Sequence, residues 1–284
     1  MSPKKIYTWI GVFVSISMIA LFAWVYALAP FTESLNSWIL NGMTLLSAVI
    51  GAMILTRITS FFHSGEPPRG VWMLFAISLW FWAIAEGVWA YYYITAGEVP
   101  AFSLADVLWL AGYVTLGRSL VDQYRLIFAG GGGGRRFGWY AAGAWLGIFL
   151  VAGGILVVTK SEAPMEDFFR YFYLLADSVV GLSALYLVRA FGGRALAMPW
   201  LTITSFVVTD VLYAWLTASG VYDWEMSGVS IALLADTLYV ASYLIVAWGV
   251  FGHYLLLRFG PEPIESQQKE YDRAHDRAIR GEDV

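Results

Sequence analysis

The feature that most constrains this chain is the recurrence of apolar runs about 20 residues long, each closed by Pro, Gly or charge. A helical run of that length covers a hydrocarbon layer roughly 30 Å thick, because each residue advances about 1.5 Å. Eight runs are predicted, at 7–29, 37–62, 71–96, 104–128, 137–159, 167–191, 200–219 and 229–258. Of the 284 residues 59% are hydrophobic and 13% charged, whereas soluble domains are roughly 45–50% apolar and about 25% charged. One globular core cannot hide that excess. The composition excludes a soluble enzyme, a secreted disulfide scaffold and a nucleic-acid binder. The expected fold is an all-α integral membrane protein of eight transmembrane helices. The first run is expected to stay in place, since it is longer than a signal peptide's apolar region and ends at Ala29-Pro30 without a small-residue cleavage pattern.

The scarce charges are sorted by side. All but Lys160 and Arg170 of the 17 Lys and Arg fall on one side of the alternating spans, and cytoplasmic loops are the ones that retain such residues. The opposite connections carry Glu33, Glu98, Glu162, Glu166, Asp167, Asp223 and Glu225. A multi-pass protein of the plasma (cell) membrane with both termini in the cytoplasm is therefore expected. The loop 130–134, followed by Arg135 and Arg136, lacks the Lys-Ser/Thr and preceding strand of a phosphate-binding loop and reads as a flexible connector. The tail 262–284 mixes both signs of charge, which suits a solvated extension and a docking point for a cytoplasmic protein partner.

The spans repeat. Glu86-Gly-Val-Trp89-Ala-Tyr91 aligns with Asp210-Val-Leu-Tyr213-Ala-Trp215, and Leu104-Ala-Asp106-Val-Leu-Trp109 aligns with Leu234-Ala-Asp236-Thr-Leu-Tyr239. Tyr113 and Tyr243 extend the second pair, so acid, aromatic and tyrosine fall at i, i+3 and i+7 on one helix face. Ser47 to Gly51 matches Asp177 to Gly181 more weakly. The expected organisation is two parallel four-helix repeats, 1–128 and 137–258, joined by the linker 129–136 and followed by the charged tail 259–284. An axis along the membrane normal would relate the halves and bring the repeated acids together between them.

Five acids, Glu86, Asp106, Asp177, Asp210 and Asp236, sit in or near spans and in their outer halves. An ionised group in hydrocarbon costs a few kcal/mol, so each is a functional candidate. Asp106 and Asp236 also suit structural roles, and Asp106 lies just behind Ser103 at a helix start, where a carboxylate caps the positive dipole end. Glu86 and Asp210 are too deep to be caps and have no Lys or Arg at their level. They are expected to be protonated, to share hydrogen bonds, or to await a proton, a metal ion or a cationic ligand. Trp82, Glu86, Trp89 and Tyr93 follow i, i+4, i+7 and i+11, which sets aromatics beside the acid. The candidate ligand-binding set is Glu86, Trp89, Tyr93, Asp106, Trp109, Tyr113, Asp177, Asp210, Tyr213, Asp236, Tyr239 and Tyr243. No cofactor is evident: there is no Cys, no Lys deep in a span for retinal, and the three histidines, His63, His253 and His275, lie apart from the acids. No catalytic motif is recognisable.

The stretch from Val99 to Tyr113 resembles the multi-span sensory modules found at the N-terminus of prokaryotic diguanylate cyclases and histidine kinases, through Ser103, Ala105, Asp106, Trp109 and Tyr113. That resemblance implies sensing or ligand binding in the membrane, and because no cyclase or kinase domain follows Arg258, output through an attached domain is not expected. Thr209-Asp210-Val-Leu-Tyr-Ala is similar to a Ser-Asp-containing helix of the eight-span lysoplasmalogenase family, which implies a membrane-embedded lipid hydrolase as an alternative. A proton-coupled small-molecule transporter is the other alternative. The expected partners are the lipid bilayer and a small or lipophilic ligand.

Overall fold

Local capping chemistry decides where the helices begin. The computed structural model describes residues 2–128, 139–140, 143–148, 150–154, 164–192, 195–226 and 228–260. Helix α1 spans Pro3–Leu28 behind Ser2, whose hydroxyl accepts from the Lys5 amide, and α2 spans Glu33–Thr59 behind Thr32, which accepts from Leu35. Helix α3, Pro67–Ala96, starts on two prolines that need no amide partner and ends at Gly97, whose φ of 77° only glycine adopts readily. Helix α4, Leu104–Ile127, opens with a capping box in which Ser103 and Asp106 each satisfy the other's backbone. The helical residues 143–148 and 150–154 form α5. Helix α6 is Pro164–Ala190, α7 is Met198–Ala218, and α8 is Ile231–Phe259 behind the cap Ser230. Glu225–Met226 pairs antiparallel with Val229–Ser230 in a small hairpin between α7 and α8.

Helices α1, α2 and α3 begin several residues before the predicted runs, because hydropathy sees the apolar body whereas the capped first turn is polar or proline-rich. Among the described residues, seven helices are long and apolar enough to cross a membrane, which is consistent with an all-α multi-pass membrane protein. The predicted fifth span falls only partly on described residues. The 130–134 connector and the 262–284 tail lie outside them.

Among the described residues, α2 packs on α3 and α8, α3 on α4, α4 on α6, α6 on α7, and α7 on α8, which closes a ring of six helices. Helix α1 sits outside the ring against α8 and α2. Helix α5 lies against α4 and α6, where Trp145 packs on Tyr113 and Phe172. The closest approaches at a glycine are at Gly112, where a Cβ would stand 2.2 Å from the Trp82 indole, and at Gly249, where one would stand 2.4 Å from the Thr202 hydroxyl.

The two ends of the bundle differ. Lys4 Nζ donates to the Gly260 carbonyl at 3.3 Å and Tyr7 stacks on Phe259, so α1 begins where α8 ends. Phe102 stacks on Phe169 at 5.2 Å, so α4 and α6 both begin at the opposite end. Among the described cations, Lys4, Lys5, Arg57, Arg69, Arg118, Arg125, Arg189 and Arg258 belong to the first end and Arg170 to the other. Large apolar side chains such as Phe13, Val114, Leu182 and Val208 are exposed on the outer faces, as a lipid-facing surface requires.

Candidate functional site

Helix periodicity places the chemistry. On α3 the side chains of Trp82, Glu86, Trp89 and Tyr93 share one face, and all four line a cavity of about 1010 Å³ bounded by the ring and by α1. Helix α4 contributes Trp109 and Tyr113, α6 contributes Tyr173 and Asp177, α7 contributes Asp210 and Tyr213, and α8 contributes Asp236, Tyr239 and Tyr243. The cavity reaches the end of the bundle that carries the 29–33 and 219–230 connections, where Phe31, Glu33, Tyr222 and Asp223 form its rim. Glu86 lies ten residues from the end of α3, about 15 Å down the helix.

Each acid finds different company. Glu86, 6% exposed, accepts at one oxygen from both Tyr239 and Tyr243, each at 2.7 Å, and the Trp109 indole adds a further donor. Those tyrosines arrive from a helix more than 150 residues away along the chain. Asp177, 2% exposed, accepts from Tyr113 at 2.5 Å and lies within hydrogen-bond reach of Asp210. Asp236 accepts from the Tyr222 hydroxyl at 2.8 and 2.9 Å, with Tyr26 of α1 beside it. Burial pushes the Tyr222 phenol well above its ordinary range, and nearby Tyr213 and Asp236 add to the shift, so Tyr222 remains a donor.

Asp106 does not line the cavity. Its oxygens take the Ser103 amide at 2.8 Å, the Ser103 hydroxyl at 3.0 Å and the Tyr173 hydroxyl at 2.9 Å, and this satisfies it as the capping-box partner of Ser103. The eleven other candidates share the one cavity.

The floor is aromatic. Trp82 stacks on Phe206 at 5.2 Å and 16°, with Tyr113 edge-on to Trp82 and Tyr243 edge-on to Phe206. Beneath that pair, Phe75 and Trp72 stack on Trp200, and Trp72 stacks on His253, within a core that also holds Leu55, Leu79, Leu116 and Leu187. His253 is buried there, away from the acids, as expected from its position.

Several lining residues were missed from sequence. Phe206 stands at the same offset from Trp82 as Asp210 does from Glu86, so the same register comparison could have revealed it. Tyr173 lies one helical turn before Asp177 on its face, a spacing that was also legible. Tyr222 comes from a connection with no periodicity, and Tyr26 comes from a helix outside the ring, so neither carried a signal. Arg170 lines the cavity as well, and it is engaged with Asp167 at 3.1 Å.

No protein-family model, no curated protein and no solved structure matches this chain.

Proposed function

We propose that this protein binds a small or lipophilic ligand in the acidic–aromatic cavity, as the membrane-embedded, sensor-like part of a signalling system. The observation that carries this reading is convergence: Glu86, Asp177, Asp210 and Asp236, which are scattered over four helices, meet aromatic side chains around one cavity of about 1010 Å³. The stacked aromatic floor favours binding over conduction, because tightly packed side chains, rings among them, continue from it toward the far end.

In the same reading the chain has eight spans in two parallel four-helix repeats. The ring supports this, since α2, α3 and α4 are followed round it by α6, α7 and α8 in the same order, with α1 and α5 outside at corresponding positions. So does the parity of the ends, because α4 and α6 start at one end and α1 starts where α8 finishes. The cation-rich end is assigned to the cytoplasm, which makes the cavity outward-facing, and the charged tail is assigned to a cytoplasmic partner.

Native mass spectrometry of the purified chain tests the reading. A co-purifying small molecule or lipid retained by the native protein and lost from Glu86→Gln and Asp210→Asn is the expected result. Turnover of an ether lipid would support the hydrolase alternative instead. Unchanged occupancy and stability in both variants would remove the polar site.

A further inference from the structure

The acids around the cavity differ in how well they are satisfied, and the difference locates a ligand's polar head. Two tyrosines and a tryptophan donate to Glu86, and tyrosines attend Asp236. Asp177 and Asp210 line the cavity from the neighbouring helices α6 and α7, and Tyr113 is the one side-chain donor to either among the described residues. Donors are therefore scarce where acceptors are dense. The single cation on the described cavity wall, Arg170, is engaged with Asp167.

We infer that the cavity takes an organic cation, a primary ammonium group on an apolar or aromatic body, with its N–H donors between Asp177 and Asp210 and its body against the Trp82–Phe206 floor. This rests on the ligand-binding reading above and names the chemical class of its ligand. An ammonium brings three donors and a positive charge, so it supplies both carboxylates with the donors that the cavity wall lacks. Ring faces supply the rest: the stacked Trp82 and Phe206 below, and Trp89 stacked on Tyr93 at 5.2 Å and 9° toward the rim. The cavity volume suits a drug-sized molecule, for which pockets run roughly 300–1,000 Å³. Among the described residues no group of three or more His, Cys, Asp or Glu is arranged to hold a metal ion, so the geometry favours an organic cation over a metal.

A matched pair of probes tests this on the full chain in phosphatidylcholine nanodiscs, with partition into empty nanodiscs subtracted. The expected result is saturable binding of protonated 4-phenylbutylamine roughly tenfold or more tighter than that of 4-phenylbutanol, which has the same body and no charge. In Asp210→Asn and Asp177→Asn that preference is expected to collapse, whereas Glu225→Gln on the exposed hairpin keeps it. Equal saturable binding of amine and alcohol would overturn the cation and leave the ligand-binding reading standing. Binding of neither probe by the native protein would overturn both. If an aspartate variant fails to fold, the amine-to-alcohol ratio of the native protein still decides.

Discussion

At the residue scale the same side-chain type does different work according to its neighbours. Asp106 and Asp236 stand in the same Leu-Ala-Asp-x-Leu-aromatic sequence pattern. Asp106 has all its oxygens filled by Ser103 and Tyr173, whereas Asp236 meets the loop tyrosine Tyr222 at the cavity. Ser103→Ala is therefore expected to lower stability by about 1 kcal/mol, the usual loss for an N-cap, while leaving ligand occupancy unchanged. A thermal melt read alongside native mass spectrometry separates the two effects. Glycines divide in the same way. Gly112→Ala forces a methyl group into the Trp82 indole and should cost about 1–3 kcal/mol, whereas Gly42→Ala, with nothing within 4 Å, should be neutral or slightly stabilising. Equal melting temperatures for the two variants would contradict the described α3–α4 packing.

At the element scale, the helices were legible and their pairings less so. Periodicity on α3 and α8 put Glu86 and Tyr239 on identifiable faces, but the bond between them joins residues 153 apart. A tyrosine in an apolar span serves equally well as an interfacial anchor, so its sequence context does not announce a buried partner. The Trp82–Phe206 stack is one of the contacts by which α3 and α7 meet across the ring, and ring pairs in such geometry couple by about 0.5–1.5 kcal/mol beyond their burial. A double-mutant cycle with Trp82→Leu and Phe206→Leu should return a coupling of that size. Additive losses would mean that the rings do not meet in the membrane.

At the scale of the whole molecule, charge sorting predicts sidedness. The chain has no native Cys, so single cysteines can be introduced without background. Lys5→Cys and Arg69→Cys should resist a membrane-impermeant maleimide added to intact cells, and Glu98→Cys and Asp223→Cys should react. The opposite pattern would invert the cavity's orientation and place its rim in the cytoplasm.

Sequence by itself determined the apolar spans, the segregation of cations to one end and the repeated acid–aromatic spacing. These are local properties, set by side-chain transfer energies and by a helical period of 3.6 residues. Tertiary structure alone decided that eleven of the twelve candidate residues share one cavity, that Asp106 stands apart from it, and that Asp177 and Asp210 line it from neighbouring helices. Those outcomes depend on how far each helix turns and which neighbour it packs against. The ring closes through contacts between residues distant in the chain, and no local pattern encodes them.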